Sequence, residues 1–357
     1  MVKLQDIRKQ IDELDSQLLD LLNHRVRLAE EVWKIKKKNG TSVFAPDREE
    51  ALLRRLSRAN EGPLTSEAMQ SIFREILSAS RQQQKQLVVG YLGPEGTHCH
   101  QAALKRFGSC DDLSACLTIP EIFQRLERGE LDCGVVPIEN SIEGGVNAAH
   151  DALINHSLHI CGEIFLKISH VLATPEEEGA IETVFSHPQA LGQCRDFLSQ
   201  KLPGTQQVEV SSTAEGARRA ASEPGSAALC SSFSAKRYGL FVRENHVQNS
   251  QQNLTRFLII GKQFPAATSK DKTSIIFSVN HEVGALSSIL NIFAENDINL
   301  HNIESRPVVK KPWEYLFFVD VAGHSHQTKL GKALEEIQKH TLLLRILGSY
   351  PQADPHV

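Results

Sequence analysis

Residues 252–260 read "QNLTRFLII", a threonine and an arginine side by side at the head of an apolar run. Leucine, phenylalanine and isoleucine make the stretch a β-strand. A neutral hydroxyl beside a fixed cation is either a polar strand end or a device that holds an anion and gives it a proton. The run closes a region that begins with "QLVVGYLG" at residue 86, in which short β-rich runs alternate with helical patterns. "LVVGYL", "CGVVPI", "ETVFS", "VEVSS", "SAALC" and "TRFLII" read as strands. Their alternation with helices predicts an α/β sheet layered with helices, long enough for two lobes.

The flanking regions have different patterns. Residues 1–86 contain no convincing strand. Leu4, Ile7, Ile11, Leu14, Leu18, Leu21, Leu28, Val32 and Ile35 recur in steps of three and four, with one slot interrupted. That spacing predicts a helix of roughly 30 residues, about 45 Å long. "NG" at 39–40 and Pro46 end it. A second helix is expected over about 47–59 and a third over about 65–86, capped by Thr65 or Ser66. After the linker "GKQFPAATSKDK", residues 273–349 read strand, helix, strand, strand, helix, strand, which fits a small ferredoxin-like domain.

A chain of 357 residues exceeds one ordinary core, so several domains are expected. The formal charge of -4 gives no reason to invoke nucleic acid or an anionic membrane. No run of 18 apolar residues is present, and the first residues lack the apolar core of a signal peptide. The seven cysteines form no CxxC pair and are odd in number, which argues against a zinc site or disulfide framework and for the cytoplasm.

The interrupted slot in the first helix holds Arg25, and a cation in an apolar stripe needs an anionic partner. Lys36, eleven residues on, returns to within about 20° of the same face, so the two can grip a small dianion. Arg8 lies roughly 25 Å up the helix and about 100° round it, and most easily serves a site on another chain. Arg48 and Glu49 open the second helix, and Ser80 and Gln84 share a face of the third. Arg48 or Lys36 taken alone is most simply a solvated surface group; Arg25 is not, because the apolar stripe runs through it. Taken together, Arg8, Arg25, Lys36, Arg48, Glu49, Ser80 and Gln84 resemble the all-helical chorismate mutase family in type and spacing, over residues 4–86. The resemblance implies a dimer in which the first arginine crosses to the partner's site. It also implies that Arg8 and Arg25 hold substrate carboxylates, Lys36 and Gln84 face the breaking ether oxygen, Glu49 takes the ring hydroxyl, and Ser80 and Arg48 complete the shell. Ala45 stands where some members carry an acid.

In the middle region "GPEGT" at 93–97 offers backbone N–H groups to an anion. "VPIENSIEG", "SHPQALGQC" and "SSTAEGA" each end a strand or open a helix on polar residues, the last through Ser212 and Thr213. Any one of them is by itself an ordinary turn or cap. Gly90, Gly93 and Gly96 do not fit GxGxxG, no GxSxG elbow accompanies His187, and few acids are present for a metal. In order with "NLTRF", however, these stretches look like the prephenate dehydratase family over about 88–261. That implies two α/β lobes resembling a periplasmic binding protein, with substrate in the cleft between them. It further implies Thr255 near the leaving hydroxyl, Arg256 binding or orienting a substrate carboxylate, and Asn140, Ser186 and Gln193 as neighbours, with Glu139 in support. His98 and Cys99 depart from the aromatic and serine usual there.

"GALSSIL" and "NLHNIESRP" resemble the ACT regulatory domain attached to prephenate dehydratases. The resemblance implies phenylalanine bound between paired domains, through Gly284, Ala285, Leu286, Asn299 and Leu300 and near Glu304, Ser305, Arg306 and Pro307; Ser287 stands where a larger apolar residue is common. The expected organisation is a mutase over 1–86, a dehydratase over 87–262 and an ACT domain over 272–350. The expected function is bifunctional: chorismate to prephenate, then prephenate to phenylpyruvate, inhibited by phenylalanine, in a homodimer or larger homo-oligomer. No cofactor, metal, nucleic acid or membrane is expected. The competing readings are a non-catalytic aromatic-acid-binding regulator on the same lobes and a dehydratase with an impaired mutase.

Overall fold

The computed structural model describes residues 4–38, 43–307 and 315–355. The chain divides into two compact units, residues 1–88 with 106–112 and residues 89–105 with 113–357.

The first unit holds three helices, α1 (Leu4–Lys38), α2 (Pro46–Ala59) and α3 (Ser66–Gln84). Asn39 and Gly40, expected to stop α1, lie outside the described residues. Pro46 sits in the first turn of α2, where its missing N–H costs nothing. Thr65 caps α3, its hydroxyl oxygen accepting from the Ala68 N–H at 3.1 Å. Val43, Phe44, Leu53, Met69 and Phe107 are buried in this unit. No residue of α1 is buried, and Ile11, Leu14, Leu18 and Leu21 along its stripe are exposed. The apolar period of α1 is therefore not spent within the chain.

The second unit holds most of β1 (Val88–Leu92), α4 (His98–Phe107) and β2 (Asp112–Cys116), whose remaining residues belong to the first, and all of α5 (Ile119–Arg128), β3 (Cys133–Asn140), β4 (Gly144–Gly145), α6 (Asn147–Asn155) and β5 (His159–Lys167). The chain then crosses to β6 (Val171–Thr174), β7 (Thr183–Ser186), α7 (Pro188–Gln193), α8 (Arg195–Lys201), β8 (Gln206–Glu209), α9 (Thr213–Ala220), β9 (Ser226–Cys230), α10 (Ser232–Arg237) and β10 (Phe241–Glu244). It returns in β11 (Leu254–Gly261). Two sheets result, ordered β2-β1-β3-β11-β5, with β4 on β3, and β10-β6-β9-β7-β8. β11 is thus the return strand, antiparallel between β3 and β5, and it pairs Thr255 with Asn140 and Arg256 with Glu139. The two crossings are tied together: the His170 N–H donates to Gln248 Oε1 at 2.9 Å and the Val247 N–H to the His170 carbonyl at 3.1 Å.

The six strands read from the sequence are all present. Sequence reading missed β2, β4, β5, β6 and β10. β5 carries Glu163 and Gly162 inside its apolar run, and β2 and β10 are edge strands with exposed positions, so neither pattern stands out.

The C-terminal part comprises β12 (Asp271–Ser278), α11 (Ala285–Glu295), β13 (Leu300–Pro307), β14 (Tyr315–Ala322), α12 (Thr328–Lys339) and β15 (Leu343–Pro351), with sheet order β13-β14-β12-β15. Ile275, Phe277, Ile289, Phe293, Val319, Val321, Leu334 and Ile337 form its core. Among the described residues no helix is long and apolar enough to cross a membrane.

β15 packs against β5 at Gly348, where an added Cβ would fall 2.1 Å from the Ile160 carbonyl oxygen. The obstacle is backbone and cannot rotate away. Gly348→Ala is therefore expected to lower stability by roughly 1–3 kcal/mol, as overpacking does. A chemical denaturation midpoint equal to that of the unchanged protein would refute this close approach.

Candidate functional site

In the helical unit α1, α2 and α3 surround a cavity of about 510 Å³. Arg25, Lys36, Arg48, Arg55 and Arg81 line it against one acid, Glu49, and Ser80 and Gln84 complete its polar wall. Arg81 is paired with Glu49 and Asp111, and the excess of positive charge among the other lining residues suits a dianion. Arg25 Nη1 donates to Ser80 Oγ at 2.5 Å. Burial and the neighbouring Arg48 lower the Arg25 pKa, the signature of cations crowded at an unneutralised site. Six of the seven residues expected here are brought together; Arg8 is not among the lining residues and lies exposed on α1.

Sequence reading missed Arg81. Its Nη1 donates to Glu49 Oε1 at 2.6 Å and its Nη2 to Asp111 Oδ2 at 2.8 Å. Arg106 Nη1 holds the other Glu49 oxygen at 2.7 Å. Burial alone would raise the Glu49 pKa, but Arg106 and Arg81 outweigh it and hold the carboxyl below its ordinary value.

In the second unit a cavity of about 660 Å³ opens where the crossing strands meet the two sheets. Thr255, Asn140 and Gln193 all line it. Asn140 Oδ1 accepts the N–H groups of Ile142 at 3.0 Å and Glu143 at 3.1 Å, which fixes the orientation of its amide. Its Nδ2 therefore donates, to Thr255 Oγ1 at 2.8 Å and to Asn253 Oδ1 at 2.7 Å. Because Thr255 accepts from Asn140, its own hydroxyl proton is free to point elsewhere, and the cavity is what it faces. Asn253 Nδ2 donates to Gln193 Oε1 at 3.1 Å, and His170 Nε2 lies 3.3 Å from that same oxygen. Asn253 and His170, both buried, were missed because a lone Asn or His in a crossing segment gives no periodic signal.

His98 and Cys99 also line this cavity. Burial, then the facing His170, brings the His98 pKa down to about 4, and burial pushes the Cys99 thiol up to about 12. Both are uncharged near neutral pH. Burial lowers His170 as well. Among the described residues no lysine or arginine lines this cavity and Glu143 does, so the groups there that suit a carboxylate are backbone N–H groups and hydroxyls, such as those of Ser211, Ser212 and Thr213 at the start of α9.

Three residues expected beside Thr255 are placed elsewhere. Successive side chains of a strand face opposite sides of the sheet. Arg256 accordingly turns away from the cavity, donating from Nε to Glu163 Oε2 at 2.7 Å, from Nη1 to Asp320, and from Nη2 to Tyr350 Oη at 2.9 Å. Lys272 Nζ joins Glu163 at 2.9 Å. Glu139, next to Asn140 on β3, faces the same way and accepts from Asn302 Nδ2 at 3.4 Å. Ser186 is fully buried, its hydroxyl donating to the Leu229 carbonyl at 2.6 Å.

In the C-terminal part Gly284 has φ of 85°, a conformation glycine adopts without strain, and opens α11 ahead of Ala285, Leu286 and the exposed Ser287. Leu286 and Leu300 pack at the rim of the core. Along β13 the residues alternate, and Ser305 and Pro307 are exposed. Glu304 and Arg306, expected at an effector site, turn instead onto α6: Glu304 Oε2 lies 3.4 Å from His150 Nε2, and Arg306 Nη1 donates to the Asn147 carbonyl at 2.8 Å. Gly145, in the cavity wall, is pressed so closely by Glu304 that an added Cβ would lie 2.5 Å from both carboxylate oxygens.

A cationic helical pocket, a hydroxyl-bearing cleft between two α/β sheets and a ferredoxin-like regulatory module define a two-centre enzyme of anionic substrates fused to an effector-binding domain. Residues 7–85 match the family "Chorismate mutase type II", 89–265 "Prephenate dehydratase" and 273–338 "ACT domain". The chain is 41% identical to the bifunctional chorismate mutase/prephenate dehydratase of Aquifex aeolicus, covering 99% of each chain. It is 39% identical to the Pseudomonas aeruginosa protein of that description, covering 98% of each. Among solved structures it is similar to a prephenate dehydratase from Arthrobacter aurescens in complex with L-Phe, with a TM-score of 0.69, 31% identity, and coverage of 75% of this chain and 91% of that one. The chain belongs to the bifunctional chorismate mutase/prephenate dehydratase family, and is an enzyme with both activities.

Arg256→Ala leaves Glu163 and Asp320 buried without their shared cation, an expected loss of about 3–5 kcal/mol in unfolding free energy. Arg256 and Lys272 depress the Asp320 pKa against burial, so its share of stability is present above its ordinary value of 3.8 and fades on acidification through the lowered one. Urea titrations at several pH values check both statements, and an acid dependence unchanged in Asp320→Asn would contradict the second.

Proposed function

We propose that residues 1–86 rearrange chorismate to prephenate and residues 87–262 convert prephenate to phenylpyruvate, with residues 272–350 binding phenylalanine. The rearrangement is pericyclic and needs no acid, base or nucleophile, only orientation and a field matched to the developing charge. Arg25, with Arg8 of a second copy, holds the two carboxylates. Lys36 and Gln84 face the ether oxygen, Glu49 accepts the ring hydroxyl, and Ser80 and Arg48 complete the shell. The exposed apolar stripe of α1 is the surface on which that second copy packs, and it supports a homodimer. A cytoplasmic location fits the seven free cysteines.

In the dehydratase, loss of carbon dioxide sends an electron pair into the ring and expels the hydroxyl, which leaves as water. One proton is consumed per turnover. The observation that carries this reading is the fixed Asn140 amide, which makes Thr255 Oγ1 an acceptor and leaves its proton available to a molecule in the cavity that Thr255 lines. Thr255 then donates to the departing hydroxyl and is reprotonated from the solvent side. Asn140, Asn253 and Gln193 hold it in place, and the start of α9 meets a substrate carboxylate. His98 and Cys99 add no charge to the cavity.

Phenylalanine binds at Gly284, Ala285 and Leu286, with Asn299 and Leu300, on the open face of β13 where Ser305 and Pro307 lie. Feedback has a short path: β13 also carries Glu304, which presses on Gly145 in the cleft wall. An effector that favours one position of β13 thereby favours one shape of the cleft.

The test is phenylpyruvate formation from prephenate alone, with and without phenylalanine. Thr255→Ala is expected to slow this step roughly 10²–10⁴-fold, the range for a positioned proton donor, while chorismate consumption continues. Near-normal dehydratase turnover in the variant would remove Thr255 from the mechanism.

A further inference from the structure

The mutase match ends at residue 85, yet the carboxylate this reaction needs is held from beyond it. Glu49 is 6% exposed in the pocket wall. One of its oxygens takes Arg81, from α3; the other takes Arg106 Nη1 at 2.7 Å. The Arg106 guanidinium lies 5.1 Å from the Phe44 ring centroid and 5.8 Å from that of Phe107, so it is placed by aromatic faces as well as by charge. Arg81 is in turn fixed by Asp111 and by the Phe107 carbonyl. Two guanidiniums and two carboxylates alternate and balance, and half of them come from residues 106–111.

We infer that Arg106 is a positioning residue for the chorismate rearrangement, holding Glu49 ionised and aimed at the ring hydroxyl, so that the mutase site is complete only with residues 106–111 folded against the three helices. The inference rests on the reading of Glu49 as the hydroxyl acceptor. The charged groups around Glu49 are Arg25 and Lys36 from α1, Arg48 and Arg55 from α2, Arg81 from α3, and Arg106 with Asp111 behind Arg81. Arg106 and Arg81 are the direct partners. Without Arg106, a carboxylate that burial already penalises keeps one direct cation and takes up a proton more readily. A protonated Glu49 is a poorer acceptor for a hydroxyl proton.

The experiment uses the full-length protein and compares Arg106→Gln, Arg106→Lys and Asp111→Asn. Prephenate turnover by the same preparations reports an intact fold. For Arg106→Gln, kcat/KM for chorismate is expected to fall about tenfold near neutral pH, the scale of one charge-assisted hydrogen bond. The loss should fall mainly on KM, and the acid limb of the pH profile should move to higher pH. Arg106→Lys keeps the charge and should recover most of the loss. Asp111→Asn disturbs the same network but removes a negative charge that opposes Glu49, so its acid limb should not move upward. Arg106→Gln with an unchanged KM and pH profile would overturn the inference, as would all three variants losing kcat alike with no pH shift. Unchanged protein that leaves chorismate intact would instead overturn the mutase reading, and this inference with it.

Discussion

Consecutive side chains on a β-strand cannot share a face, and on β11 that constraint separates a hydroxyl from a guanidinium with opposite duties. Thr255 faces the cleft beside Asn140, while Arg256 enters the sheet's other side and is neutralised by Glu163 and Asp320. Both positions matter because β11 is the strand that returns from the second sheet to the centre of the first. A displacement of Arg256 would move the backbone that presents Thr255. The ion cluster thus fixes the register of the cleft and seats the C-terminal sheet through Asp320 and Tyr350.

The second site relies on the same kind of pairing in a different setting. Burying a carboxylate costs several kcal/mol unless cations and hydrogen bonds compensate. Glu49 is compensated twice, by Arg81 and Arg106, which leaves it an ionised acceptor in a pocket otherwise rich in cations. The dehydratase cleft has the opposite character. It is lined mainly by amides, hydroxyls and the buried imidazoles of His98 and His170, with Glu143 as its carboxylate, and among the described residues no lysine or arginine enters it. One reaction needs a strong fixed field around a dianion, and the other needs a proton delivered where bulk water is scarce.

The helical site was legible because a helix displays its period: Arg25 interrupts an apolar stripe, and Lys36, Ser80 and Gln84 fall at spacings that reach one pocket. In the cleft, Thr255, Asn140 and Gln193 were legible through their motifs. Ser186, Glu139 and Arg256 share those motifs and were misplaced, since a motif names neighbours in sequence while a strand sends them to opposite faces. Glu304 and Arg306 on β13 meet α6, contacts that no local pattern announces. Arg81, His170 and Arg106 had no signal, because each matters only through a partner far away in the chain, and Asn253 stood inside the "NLTRF" motif without being read as a site residue.

The sequence by itself determined the three-part organisation, the helical, α/β and ferredoxin-like classes and many of the polar side chains that line the two cavities. Those follow from local periodicity and short-range chemistry, which a linear chain records. Tertiary structure alone decided which face each polar residue took, which carboxylates were neutralised and by which cations, and that the Glu304 carboxylate of β13 lies against Gly145 in the cleft wall. These depend on strand register and on contacts between residues distant in sequence, such as Glu49 with Arg106 and Arg256 with Asp320. Such pairings are selected by burial and charge balance once the chain has folded, and no local pattern encodes them.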